Sequence, residues 1–114
     1  MSSKGWIGVD FDGTLSEYRG WQGKGIYGPP IPAMVQRIHR WLAEGKIVKI
    51  MTARADDERE IGSIKRWLVW ECQLPWEMDV TNVKDMNMIE LWDDRAVTVE
   101  KNTGVVITKG REND

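Results

Sequence analysis

The chain has 114 residues, of which 30% are charged, and acidic and basic residues are interspersed with a formal net charge of −2. This length and composition are typical of one globular domain with a modest core. They argue against an extended basic surface for nucleic acid, and with Cys72 as the only cysteine they exclude an internal disulfide. No apolar run approaches membrane-spanning length, and the N-terminus lacks an apolar signal core. We therefore expect a single cytoplasmic domain over residues 1–114, with no membrane partner.

The first predicted strand ends in two carboxylates. β-forming residues occupy residues 6–11, and the run stops at Gly13. Side chains alternate along a strand, so Asp10 and Asp12 point to the same side, where they repel each other unless a cation or donors lie between them. The pair therefore indicates a site for a hard divalent cation with oxygen ligands, although Asp12-Gly13 alone also fits an ordinary turn.

The next segment is rich in glycine and proline. Residues 15–32 hold four glycines and three prolines, which predicts an irregular flap over about residues 15–31 instead of a helix. The flap follows the carboxylate pair directly and should border the site. Its candidate substrate contacts are Arg19, Trp21, Lys24 and Tyr27, although an ordinary surface loop is an alternative. Most of the seven tryptophans are expected to be core or partly exposed helix residues, and a stacking platform for bases is another interpretation.

The remainder alternates between helical and strand patterns. Helices are predicted from Pro32 to about Glu44, with His39 solvated, and from about Asp56 to the Leu74-Pro75 pair. This alternation predicts an open, three-layer, Rossmann-like and mostly parallel α/β sheet with a small C-terminal hairpin. The predicted later strands are residues 46–51, 78–80, 88–92, 97–99 and 105–107.

Thr52 lies between the second strand and the second helix. A hydroxyl at a strand tip, followed by the free N–H groups of a helix start, can bind an oxyanion; the alternative is that Thr52 only finishes the strand. Asp57 and Glu60 at the start of this helix resemble a capping box.

In open parallel sheets, ligands bind beyond the carboxyl ends of the strands. Carboxylates with one hydroxyl and one ammonium suit Mg²⁺ and a phosphoryl group. An aspartate can attack phosphorus to give an aspartyl-phosphate, and a second acid can protonate the leaving group and then activate water. The unusual polar residues predicted at these strand ends are Asp10, Asp12, Thr52, Lys84, Asp93 and Asp94.

Four segments together resemble the motifs of the haloacid dehalogenase (HAD) superfamily, in the family's order. They are residues 10–14 (DFDGT), residues 47–54 (IVKIMTAR), Lys84 and residues 92–94 (WDD). The chain is most similar to the small phage- and prophage-type hydrolases that lack a large cap. Asp85, which follows Lys84, departs from the proline that family members often carry there.

The resemblance implies a role for each of these residues. Asp10 would be the nucleophile and a Mg²⁺ ligand, and Asp12 the general acid and base that lends its backbone carbonyl to the metal. Thr52 and Lys84 would hold the phosphate. Asp93 would bind Mg²⁺ directly or through water, and Asp94 would orient Asp93 or pair with Lys84.

The expected function is a Mg²⁺-dependent phosphatase that hydrolyses a phosphate monoester through an aspartyl-phosphate. An acid at Asp12 favours a phosphatase or phosphomutase within the family. The lack of a large cap leaves the identity of the substrate open. The flap or a neighbouring subunit would close the site. The alternatives are a catalytically weak binding or regulatory module, a nucleic-acid-end phosphatase and a nucleic-acid-binding protein.

Overall fold

A computed structural model of the chain describes residues 5–108 and contains a four-stranded parallel sheet. Its strands are β1 (Trp6–Asp10), β2 (Ile47–Met51), β3 (Val80–Thr81) and β4 (Met88–Trp92), in the spatial order β3-β2-β1-β4. The predicted parallel α/β architecture is confirmed. Because β1 and β4 are parallel neighbours, the segments that follow these two strands begin side by side.

Two α-helices connect the strands, with bounds close to those predicted. Helix α1 (Pro32–Ala43) follows the flap and has proline in its first turn, where no backbone donor is lost. A 3₁₀ turn (Ala53–Asp56) precedes helix α2 (Glu58–Cys72). The side chain of Asp57 caps α2, and Gln73 ends it in the left-handed conformation with φ 55°.

Both helices pack on the same face of the sheet, so the described residues form two layers and not the predicted three. His39 of α1, although exposed, has its Nε2 2.7 Å from the carbonyl oxygen of Cys72 at the end of α2, which ties the two helices together. The crossovers β1-α1-β2 and β2-α2-β3 step in the same direction along the sheet, and right-handed crossovers that do so place their helices on one face. A loop without a helix then returns the chain from β3 to β4.

The core lies between the sheet and this helical layer. Phe11 sits at its centre, fully buried, with Tyr27 and Trp67 edge-to-face at ring-centroid distances of 5.1 and 5.0 Å. Trp41 of α1 packs on Trp92 of β4 at 5.1 Å. Phe11 directly follows β1 and Trp92 ends β4, so these ring contacts anchor the chain where each of the two strands ends.

Trp6 covers part of the second face of the sheet. Its side chain is buried, and its ring lies where a Cβ on Gly8 would meet it at 3.2 Å. The indole Nε1 donates to Asp85 Oδ1 at 2.9 Å, and the Lys49 ammonium lies 4.6 Å from the ring centre. One large side chain thus provides some of the cover that a helix gives the opposite face.

A small antiparallel hairpin follows the sheet, as predicted. It consists of β5 (Thr98–Val99) and β6 (Val106–Thr108), and its turn contains Asn102 and Gly104 at positive φ. In the part of the chain that the structure describes, no helix is both long and apolar enough to cross a membrane.

Candidate active site

Three carboxylates meet at the carboxyl edge of the sheet. Asp10 ends β1, and Asp93 and Asp94 follow the neighbouring strand β4. One oxygen from each of the three lies within 4.8 Å of the others. The structure therefore brings together the predicted ligands Asp10 and Asp93, and it adds the side chain of Asp94, for which the resemblance implied an orienting role.

The neighbouring carboxylates of this cluster disfavour the charged form of Asp10. The pKa of Asp10 is raised from 3.8 to about 7, and burial is the largest cause. The charge of Asp93 follows, and then a hydrogen bond with Asp94 and the charge of Asp94. A hydrogen bond from Thr14 acts in the opposite direction. A cation placed among these oxygens would remove the repulsion.

Thr14 and Gly13 hold the cluster together. Thr14 Oγ1 lies 3.3 Å from Asp10 Oδ2 and 3.3 Å from Asp94 Oδ1, and it accepts the Asp94 backbone N–H at 3.0 Å. A Cβ on Gly13 would lie 2.7 Å from Asp94 Oδ2, and its φ of +91° suits glycine. The space at Gly13 therefore lets the Asp94 carboxylate approach β1. A hard-oxygen donor set in a preformed cradle of this kind fits Mg²⁺.

The Asp12 carboxylate is held by Arg54, outside the group formed by Asp10, Asp93 and Asp94. Arg54 Nε and Nη2 donate to the two Asp12 oxygens at 2.8 and 3.0 Å, a bidentate pair. The guanidinium also donates to the flap carbonyls of Gly23 and Ile26 at 3.3 and 3.4 Å. The metal contact predicted for Asp12 involves its backbone carbonyl and not its carboxylate. The pairing with Arg54 concerns only the carboxylate, so the metal contact stays a prediction.

Arg54 is a functional candidate to which the sequence analysis gave no role, although it belongs to the motif at residues 47–54. Its side chain is only 5% exposed, so its partners decide whether the charge can be buried. Its principal partner, Asp12, is 42 positions away along the chain. Two signals were available in the sequence: Arg54 ends the motif at residues 47–54, and a cation in the first turn after a strand opposes the helix dipole.

Glu60 anchors the flap and does not complete the capping box expected from the sequence. Its buried carboxylate accepts the Gly25 N–H at 2.9 Å and a short hydrogen bond from the Tyr27 hydroxyl, and it lies 3.6 Å from Arg54. Only Asp57 caps α2, because a carboxylate buried beneath the flap is stabilised more by these donors than by a solvated helix end. Burial, followed by the bond to Glu60, raises the pKa of Tyr27 to about 12.

The four flap candidates separate into different environments. Trp21 lies over the Arg54 guanidinium and lines a cavity that also contains Asp10. Tyr27 and Arg19 line an adjacent cavity of about 320 Å³ enclosed mainly by the flap. The ammonium of Lys24 instead pairs with Asp57 at 2.8 Å.

Most of the predicted site residues share one cavity of about 370 Å³. A single residue of the predicted set, Lys84, is exposed and is not among the residues lining the cavities described around Asp10. The carboxylate of the neighbouring Asp85 accepts hydrogen bonds from Trp6 Nε1 and from the Asn87 N–H. The predicted residues that line the cavity are Asp10, Asp12, Thr52, Asp93 and Asp94.

Thr52 has two structural roles at this edge. It is 5% exposed, and its Oγ1 accepts the Arg54 backbone N–H at 3.1 Å, so it caps the 3₁₀ turn. It also lines the cavity that contains Asp10. The two interpretations that the sequence left open for Thr52, a strand end and a site residue, are thus geometrically compatible.

Comparison of the chain with protein-family models, with curated proteins and with solved structures found no match. The geometry of this site therefore carries the functional argument.

Proposed function

We propose that the protein is a Mg²⁺-dependent phosphatase of HAD type that hydrolyses a phosphate monoester through an aspartyl-phosphate. The observation that carries the proposal is the convergence of Asp10, Asp93 and Asp94 at the carboxyl ends of adjacent parallel strands. The raised pKa of Asp10 supports it, because burial and like charges are costly without a cation. The resemblance of the motifs to the HAD superfamily supports the reaction type.

In this proposal Asp10, Asp93 and Asp94 would hold Mg²⁺, together with the backbone carbonyl of Asp12. The metal supplies positive charge that offsets the carboxylates and the phosphoryl oxygens. An Asp10 oxygen attacks phosphorus, an O–P bond forms, and the bond to the leaving oxygen breaks. Asp12 gives that oxygen a proton, and it then takes one from the water that hydrolyses the aspartyl-phosphate, which restores Asp10 and releases phosphate.

Arg54 is a positioning residue for Asp12. Its two hydrogen bonds fix both oxygens of the Asp12 carboxylate at the cavity wall, and Arg54 is itself fixed by flap carbonyls and Glu60. Orientation of a catalytic carboxylate by a buried, multiply bonded partner reduces the freedom it must lose during reaction. The same contacts make the flap part of the rigid wall of the site.

The phosphoryl oxygens would be held by Thr52 and Lys84. Thr52 lines the cavity, and its hydroxyl, whose oxygen accepts the Arg54 backbone N–H, would donate to a phosphoryl oxygen. Lys84 is carried by the exposed loop between β3 and β4. Its contribution is a prediction that requires this loop to bring the ammonium to the phosphate.

A catalytically weak binding or regulatory module is the second candidate. It is favoured by the bidentate Arg54–Asp12 pair, which occupies both oxygens of the proposed acid, and by the position of Lys84 outside the cavity lining. Such a module would bind Mg²⁺ and phosphorylated ligands with negligible turnover.

Turnover with Mg²⁺ separates the two candidates. The phosphatase should release phosphate from a generic aryl phosphate with Mg²⁺ and stop in EDTA. Asp10→Asn should abolish both turnover and the acid-stable phosphoenzyme trapped in a single turnover. Asp79→Asn is a matched control, because this exposed carboxylate precedes β3 and lies outside the cavity. Mg²⁺ binding without turnover would favour the module, and phosphoenzyme in Asp10→Asn would contradict the nucleophile assignment.

A further inference from the structure

Trp21 is an exposed tryptophan with one face held in place. It is 60% exposed, and the Arg54 guanidinium carbon lies 4.6 Å from its ring centre. Arg54 is buried beneath it and is fixed by the two bonds to Asp12. A cation against one face of an indole sets the orientation of the ring, and the high exposure leaves the other face available.

This ring borders the cavity that contains the proposed nucleophile. Trp21 and Asp10 both line the space of about 370 Å³, together with Tyr18. A phosphoryl group at Asp10 would therefore place the organic part of its ester within the same enclosure as the indole. Small-ligand sites commonly have this form, with a few convergent polar groups and an aromatic wall.

We propose that Trp21 is a stacking platform that makes the site selective for phosphate monoesters whose organic group carries an aromatic ring, such as a nucleobase. This inference rests on the proposed phosphatase function and names the class of its substrate. An indole face gains more from a flat aromatic ring than from a saturated ring of similar size. Because Arg54 already fixes the indole, little ordering is needed when the ligand binds.

The charges around the flap favour a small ester over a polynucleotide. Arg19 pairs with Glu17, Lys24 with Asp57, and Arg54 with Asp12. Each of these cations thus faces a carboxylate, and together they provide little net attraction for a chain of phosphates. The occupant we infer is a mononucleotide or another single aromatic phosphate ester.

The test compares benzyl phosphate with cyclohexylmethyl phosphate. Both release a primary alcohol, so leaving-group chemistry is matched and the ring differs. The wild type should prefer benzyl phosphate in kcat/KM by about 5- to 100-fold, the range that one stacked aromatic supports. Trp21→Leu should reduce the preference to about 2-fold or less, and Trp21→Phe should keep part of it. Trp70→Leu is the matched control, since Trp70 is 76% exposed on α2 and should leave the preference unchanged.

Three outcomes would overturn the inference while leaving a phosphatase in place. They are equal hydrolysis of the two esters by the wild type, an unchanged preference in Trp21→Leu, and a loss of the same size for both esters. A strong, salt-sensitive preference for 5′-phosphorylated oligonucleotides over nucleoside monophosphates would overturn the choice of a small ester.

Binding measurements keep the inference testable if no ester is hydrolysed, an outcome that would refute the phosphatase itself. Calorimetry with benzylphosphonate and cyclohexylmethylphosphonate in Mg²⁺ would then compare affinities without turnover. Tighter binding of the aromatic phosphonate, lost in Trp21→Leu, would support the platform. Equal affinities, or no binding of either phosphonate, would refute it.

Discussion

The protonation of Asp10 should make the stability of the metal-free protein depend on pH in a defined direction. Its pKa is raised from 3.8 to about 7, with burial as the largest cause. Between these values the folded state keeps a proton that the unfolded state has released, so the free energy of unfolding falls as the pH rises. The loss is absent below the lower value and complete above the upper one. Asp10→Asn removes this loss, so the variant should gain stability relative to the wild type as the pH rises.

The size of the effect follows from the two pKa values. They differ by about three pH units, and each unit corresponds to about 1.36 kcal/mol, which sets an upper limit of about 4 kcal/mol. Asp10 is only partly buried, so solvent screening reduces the effect. Between about pH 4 and pH 8 in EDTA, we expect the free energy of unfolding of Asp10→Asn to rise by about 1–3 kcal/mol relative to that of the wild type.

Urea unfolding at several pH values measures this difference, with Asp79→Asn as the control carboxylate. Under the proposed function Mg²⁺ would bind the folded state, so at one hundred times its Kd it should stabilise the wild type by about 2.7 kcal/mol. Asp10→Asn, which lacks one anionic ligand, should gain much less from Mg²⁺.

Two results would refute this reasoning. One is a stability difference between wild type and Asp10→Asn that is the same at pH 5 and pH 8. The other is equal stabilisation of both proteins by Mg²⁺, because the cation would then bind elsewhere.

Three further predictions concern the neighbours of Asp10. Arg54→Met should lower the free energy of unfolding by about 3–5 kcal/mol, because it leaves Asp12 and Glu60 without their buried cation. Urea unfolding measures this loss of stability, and a loss below about 1 kcal/mol would contradict the pairing. Gly13→Ala should weaken Mg²⁺ binding in calorimetry, since its Cβ would lie 2.7 Å from Asp94 Oδ2, and unchanged affinity would show that this cradle is not needed. Asp12→Asn should retain Mg²⁺ binding and lower the rate on an alkyl phosphate by about 10²–10⁴-fold. The loss should be smaller on an aryl phosphate, whose leaving group needs little protonation, and wild-type rates on both esters would exclude Asp12 as the acid.

Local periodicity predicted the secondary structure well. Apolar runs that end at Asp10 and at Asp93 located β1 and β4, and their shared edge followed from the rule that parallel strands end together. The number of layers was not predicted correctly, because strand and helix patterns do not encode the order of strands in a sheet. Once β4 pairs with β1 on the side away from β2, both helical crossovers run in the same direction.

The contacts that organise the flap were beyond sequence reasoning. Arg54 meets Asp12 across 42 positions, and Glu60 meets Gly25 across 35. Each residue alone has an ordinary surface interpretation, and for Glu60 a capping box was the obvious local partner. Burial decided otherwise, since a charge removed from water requires the nearest strong donor or acceptor wherever it lies in the chain.

The two ends of the flap are bonded to each other, which has a consequence for how this domain can change. Glu17 N–H donates to the Pro29 carbonyl at 2.9 Å, and Ile31 N–H donates to the Leu15 carbonyl at 2.8 Å. The chain thus leaves and rejoins the domain at one hydrogen-bonded neck. Doubling the length of a loop closed in this way costs only about 0.6 kcal/mol of closure entropy. Whole modules can therefore be grafted between these residues, by evolution or by design, to change which molecules reach the carboxylates while the sheet beneath stays as it is.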